Sequence, residues 1–191
     1  MVNNCMTRYS LILLGLVAIA SCAKYPPEKF ATAKEGLQYI SEVKHGFLTD
    51  TSLNNGLEIK VQILPACLIQ KTNEGSRQKY FSIQFSYKGR ELLAQLSRED
   101  YGVFVQLFSF GMGQYIFLRT DSGKEYAASM VSYQPTYNMG RSNELIVIFS
   151  DDLSFHKNLN LVIKEFGLNV GELRFSIDVE KLHYSPYIEQ F

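Results

Sequence analysis

The sequence predicts a mainly β domain over residues 28–191, two antiparallel sheets stacked as a sandwich with one or two short helices. Three observations predict it. Residues 57–63 (LEIKVQI) and 81–87 (FSIQFSY) alternate apolar and polar side chains one by one, the period of a strand with one buried and one wet face. Five further short runs, rich in β-branched and aromatic residues, crowd the C-terminal half and are separated by turn residues at intervals of roughly 8 to 15 positions. No helical pattern alternates with them, so the pattern is that of antiparallel layers rather than of a parallel βαβ sheet.

Each element has its own signal. From 28 to 43, apolar residues at Phe30, Ala33, Leu37 and Ile40 fall three and four apart, which predicts a short amphipathic helix, although Gly36 interrupts it and residues 36–40 also suit a strand. The two alternating strands at 57–63 and 81–87 flank Thr72-Asn73-Glu74-Gly75-Ser76, turn chemistry that joins them as a hairpin with a loose loop. A second helix is predicted over about 98–110. Ser97 precedes Asp100 by three positions, as a capping box requires, and Tyr101, Phe104, Val105 and Phe108 follow at helical spacing. The β-branched and aromatic run at 103–108 is the competing strand signal, and Gly102 weakens a helix by roughly 1 kcal/mol. Five strands follow, at 114–120, 125–133, 144–150, 159–164 and 172–179, the first two joined by Asp121-Ser122-Gly123, where glycine accommodates the positive φ of a tight turn. Tyr184, Pro186, Tyr187 and Phe191 form either an exposed patch or a final edge strand. This pattern, above all the QYIFLRT and DSGKEY hairpin and the late ELIVIFS strand, resembles the immunoglobulin-like sandwiches of bacterial envelope lipoproteins over about residues 57–180. The disulfide and strand tryptophan of antibody domains are both missing, so the resemblance implies the broad architecture alone.

Residues 1–22, MVNNCMTRYSLILLGLVAIASC, say where such a domain is sent. A short polar leader with one cation, Arg8, precedes an apolar run from Leu11 to Ala20, and small residues lead up to Cys22. As a helix that run rises only about 15 Å, half of a hydrocarbon core of about 30 Å, so it reads as a cleaved signal rather than a membrane span. The box Ile19-Ala20-Ser21-Cys22 resembles the lipid-acceptor site of diacylglyceryl-modified lipoproteins. That resemblance implies a signal peptide at 1–21, lipidation of Cys22 and a tether at 22–27, stiffened by Pro26 and Pro27. It also implies a cell-envelope location, with the outer membrane favoured because no aspartate follows Cys22. Of the remaining cysteines, Cys5 lies in the leader and Cys67, within LPACLIQ, reads as a small buried hydrophobe.

Charge is balanced, with 19 basic and 19 acidic residues. No stretch concentrates Lys and Arg, so nucleic acid is not an expected partner. Gly-x-Ser-x-Gly, His-Glu-x-x-His, phosphate-loop and paired-cysteine spacings are absent, and Gly111-Met112-Gly113 lacks the third glycine of a nucleotide loop. His45, His156 and His183 lie far apart in the sequence. No catalytic residue, metal ligand or cofactor is therefore assigned. The alternative chemistry is a metal-dependent hydrolase on Asp151, Asp152 and His156, two carboxylates and an imidazole within six positions, which lack the further oxygen ligands of a calcium loop. A small-ligand carrier is the other alternative, and close packing of Ile59, Val61, Ile83, Phe85, Ile146 and Ile148 between the sheets would argue against it.

The favoured reading is a non-catalytic binding or assembly module, held at a membrane through Cys22 and contacting another envelope protein or a glycan. Its candidate surface is the connection at 133–143, where Tyr133, Tyr137, Met139 and Arg141 supply the residue types that dominate interfaces. Loops on a rigid sheet scaffold are where binding usually resides.

Overall fold

The computed structural model describes residues 26–53, 55–69, 78–137, 139–150 and 158–190. They form a mainly β structure with antiparallel sheets and a few short helices. Cys22, the turn at 72–76 and the trio Asp151, Asp152 and His156 lie outside the described residues.

The first sheet keeps the apolar phase of both alternating runs inward, but in the second run Ser82 and Ser86, expected on a wet face, are buried as well. Strands β2 (Leu48–Ser52), β3 (Leu57–Leu64), β4 (Lys79–Tyr87), β9 (Asn143–Phe149) and β8 (Met130–Gln134) lie in the order β2-β3-β4-β9-β8, each antiparallel to its neighbour, with the two-residue β5 (Arg90–Glu91) beside β4. Ile59 pairs with Phe85, Val61 with Ile83 and Ile63 with Phe81, so the apolar phases of β3 and β4 share one face. All six are at most 4 % exposed. Burying each such side chain contributes about 1.5–3 kcal/mol.

The second sheet has the order β11-β10-β6-β7, built from β6 (Ile116–Thr120), β7 (Glu125–Ala127), β10 (Leu159–Ile163) and β11 (Leu173–Ile177), again all antiparallel. Leu161 sits between Leu118 and Phe175, and its face joins that of the first sheet in one core cluster. The opposite face of this sheet is laced by ions. Arg119 donates from Nη1 and Nη2 to both oxygens of Glu172 (2.6 and 2.8 Å) and from Nε and Nη2 to Glu125 (2.9 and 2.6 Å). Lys164 joins Glu125 and Arg174 joins Glu172. Hydrogen bonds from Arg119 and Arg174 hold the Glu172 carboxyl at about 2.

Several expectations change. The helix expected over 28–43 is shorter, because β1 (Lys29–Thr32) pairs in parallel with β12 (Tyr187–Gln190) and only then does α1 (Ala33–Ile40) begin, with the Thr32 hydroxyl accepting from the Glu35 amide. Gly36 does not interrupt α1. It lets α1 approach α2 (Ala66–Ile69), since a Cβ there would lie 2.4 Å from Leu68 Cδ2. The strand expected over 125–133 is two strands in different sheets, β7 on β6 and β8 on β9, with the switch at Ala128 and Ser129. Ser129 opens the second ladder by donating its amide and its hydroxyl to Ile148 O (both 2.8 Å). Ile146 and Ile148 point away from the core, because the register sets Leu145 against Ile83 and Val147 against Phe81 instead.

The second predicted helix is α3 (Arg98–Gln106), capped by the Ser97 hydroxyl, which accepts from the Asp100 amide (3.1 Å). A π-helical turn over Leu107–Gly111 continues it. Phe104, Phe108 and Met112 are spaced by four, which on an α-helix drifts about 40° per step, and the wider turn keeps all three against the core. A short α4 (Val179–Leu182) leads to β12, so the C-terminal aromatic segment takes the edge-strand option over 187–190.

The connection between β10 and β11 is organised by one carboxylate. Glu165 Oε1 accepts from the amides of Gly167 and Asn169 (2.7 and 2.9 Å), and Oε2 accepts from those of Val170 and Gly171 (2.7 and 2.6 Å). Burial pulls this carboxyl up, and the four amides outweigh it and hold it below the ordinary range. A depressed folded pKa contributes stability that is present above the unfolded value, about 4.3, and is lost as pH falls through the folded one. Glu165→Gln is therefore expected to lower the denaturation midpoint at pH 7, and the gap to the parent protein should close in acid. A gap that stays constant down to pH 3 would remove the charge from the explanation.

Candidate functional site

The loop at 135–142 leaves the edge strand β8 and returns into β9, and a buried polar cluster beneath it sets its shape. Asn143, the first residue of β9, is fully buried, and its Oδ1 accepts from the Leu93 amide (2.8 Å). Both amide hydrogens of its side chain are used, one on Glu91 Oε2 (3.2 Å) and one on the Tyr133 hydroxyl (3.1 Å). Glu91, 2 % exposed, accepts at Oε1 from the Thr136 hydroxyl and from the Gly140 amide, both at 2.6 Å. One carboxylate thus ties the two arms of the loop to the strand below. Gly140 keeps this approach close, because a Cβ would lie 3.0 Å from that same Oε1 and push against it.

On this base the loop presents two apolar side chains. Tyr137 is 78 % exposed with φ of 50°, and Met139 is 85 % exposed. A positive φ is uncommon for tyrosine and costs of order 1 kcal/mol, which the Glu91 ties help to sustain. Arg141 is exposed beside them. Tyr133, the fourth candidate, belongs to the base rather than the tip. It is half-buried, and its ring meets Phe108 edge-on with centroids 5.7 Å apart. Burial raises its phenol, the Asn143 hydrogen bond offsets part of that, and Glu91, Tyr101 and Tyr137 act on it electrostatically.

Sequence reasoning missed Glu91, Asn143 and the outer face of α3. Tyr101 and Val103 on α3 are 44 % and 64 % exposed, and Phe110 is 87 % exposed on the π-helical turn whose Phe108 packs against Tyr133. The signal for Phe110 was present, since a run holding Phe104, Phe108 and Phe110 cannot bury all three on one helical face. Glu91 offered no signal, because its donors lie 45 to 52 residues away.

The loop stands far from Pro26 and Pro27. Lys79, at the start of β4, donates to Leu182 O (3.1 Å) at the end of α4, and Tyr184, two residues on, donates its hydroxyl to Pro27 O. A hollow of about 310 Å³ opens there, between Pro26, Glu28, Lys181 and Tyr184. Asn143 pairs with Phe85, near the other end of β4. Six residues of antiparallel strand separate Lys79 from Phe85, ~20 Å.

No protein-family model, curated protein or solved structure matches the chain.

Among the described residues no group of His, Cys, Asp and Glu is arranged to hold a metal ion, and no helix is long and apolar enough to cross a membrane. His45 stacks on Tyr39 at 3.7 Å and meets Glu42 at 3.3 Å, while His183 lies beside Lys79. Cys67 is 4 % exposed, and burial pushes its thiol up, away from the thiolate a nucleophile needs. What the loop offers is a contact surface of aromatic, thioether and guanidinium groups on a braced support.

Proposed function

We propose that this protein is a non-catalytic binding or assembly module of a bacterial cell envelope, anchored through a lipid on Cys22 and engaging another envelope protein or a glycan with the loop at 135–142. The observation that carries this reading is the placement of that loop. Tyr137 and Met139 project from it, the buried Glu91 braces it, and it lies ~20 Å along β4 from the end where Pro26 emerges. An anchor at one end and a shaped apolar tip at the other is the layout of a presenting module. The finer architecture we propose is a two-sheet sandwich of the immunoglobulin-like kind. The shared core of the two sheets and the chain's passage between them at Ala128 and Ser129 support it. The signal-peptide pattern at 1–21 and the lack of aspartate after Cys22 favour the outer membrane.

The test is capture in the native host. Tyr137→Ala together with Arg141→Ala should weaken recovery of a crosslinked partner by roughly tenfold or more, the usual effect of removing two central interface side chains, with the melting curve unchanged. Undiminished recovery by that double variant would remove the loop as the contact.

A further inference from the structure

The open edges of the sheets are not alike. Edge strand β2 carries Asp50 at its centre, β7 is three residues long with Glu125 in an ion pair, and β11 carries Arg174 paired with Glu172. The β1 and β12 pair carries Lys29 against Glu189. Charges and short length are the means by which sheet edges resist pairing with other chains. Strand β8, Met130-Val131-Ser132-Tyr133-Gln134, has neither: it is five residues long, uncharged, and free of proline and glycine. Among the described residues it pairs on one side only, with β9.

We infer that the open edge of β8 pairs antiparallel with β8 of a second copy of this chain, about a two-fold axis at Ser132, so that the two larger sheets become one. The strand is self-complementary in that register. Val131 lies opposite the second copy's Tyr133, and the reverse, giving two β-branched and aromatic cross-strand pairs, while Met130 faces Gln134 and Ser132 meets itself. No like charges are opposed along the edge, and the chain's 19 basic and 19 acidic residues leave no net charge to drive two copies apart. A strand edge alone is a small interface, and the exposed Met130 adds apolar area at its start. Met130, 55 % exposed, ends a row that the register carries straight across four strands, from Leu64 through Tyr80 and Ile148. A second copy is favoured over a foreign strand because every position of β8 meets a compatible residue when the partner is β8 itself.

The experiment uses the full chain extracted from membranes in mild detergent. In Ser132→Cys the two thiols should approach across the axis, where paired Cα atoms lie about 4.5–5.5 Å apart, within the span of a disulfide. Mild oxidation should then give a covalent dimer, while Asp50→Cys on the opposite edge and the parent protein give none. Ser132→Lys sets two ammonium groups face to face and should weaken association at least tenfold in sedimentation, with the circular-dichroism spectrum of the folded chain unchanged. Ser132→Glu, of opposite sign, should act alike, and agreement between the two separates charge repulsion from misfolding. A parent protein that sediments as a monomer at every concentration, crosslinks from Asp50→Cys as efficient as those from Ser132→Cys, or a Ser132→Cys crosslink to a different protein would each overturn the pairing. The Tyr137 and Arg141 double variant should still self-associate, so loss of loop contact and loss of edge pairing are separable.

Discussion

Glu91→Ala is expected to destabilise the protein by about 3 kcal/mol and to release the loop at 135–142 as a unit. Three donors converge on this carboxylate, from Thr136, Gly140 and Asn143, and each buried donor left without an acceptor costs about 1–3 kcal/mol, less where water reaches it from the loop side. Glu91→Gln keeps the volume and one acceptor oxygen, so it should lose less, about 1–2 kcal/mol. Urea denaturation gives the first number, and amide exchange across the loop tests the second claim: protection at Gly140 should fall in both variants while that of β3 and β4 is retained. A Glu91→Ala protein within 0.5 kcal/mol of its parent would mean that the carboxylate does not hold the loop. Capture of a partner should fall with loop order even though Glu91 itself is buried and cannot touch one.

Phe108→Ala should be costlier still, about 3–5 kcal/mol, the usual range for a buried aromatic ring truncated where the surroundings cannot collapse. Its ring is 1 % exposed and lies edge-on to Phe85 at 5.2 Å, Tyr133 at 5.7 Å and Phe166 at 6.3 Å, so one side chain joins the π-helical turn after α3 to the first sheet, the β10–β11 connection and the base of the loop. The melting temperature should drop by roughly 6–20 °C for a chain of this size. Phe108→Leu fills most of the space and should cost much less. Because Phe108 and Glu91 both act on the surroundings of Tyr133, their alanine variants should combine non-additively, and a double-mutant cycle measures the coupling. Strict additivity would place the aromatic cluster and the loop anchor in independent regions.

The parts of this structure that were legible in the sequence are those whose cause is local. Residues 57–63 and 81–87 alternate strictly, and β3 and β4 follow them with the apolar phase buried. Ser97 three residues before Asp100 marked a helix start that the structure uses, and Gly123, at φ of 84°, makes the turn between β6 and β7. The failures have equally physical causes. In ELIVIFS five apolar residues are consecutive, so periodicity cannot say which phase faces inward, and only pairing with Ile83 and Phe81 selects Leu145 and Val147 over Ile146 and Ile148. In EYAASMVSY the β signal is unbroken while the partner changes from β6 to β9, an event invisible to any window of that length. At the candidate site Tyr137 and Met139 were readable as loop residues of interface type, and Tyr133 was not separable from them until its partners Phe108 and Asn143 were known.

Taken by itself, the sequence determined where most strands and the main helix lie, because alternation, capping and turn chemistry act over a few neighbouring residues. The tertiary structure alone decided which face each strand buries, where the chain changes sheets, and that a carboxylate at 91 would shape a loop at 135–142. Those outcomes depend on contacts between separate elements, at Glu91 between groups 45 or more residues apart, where the free energy of burial and of a satisfied buried hydrogen bond, rather than any local preference, selects the arrangement.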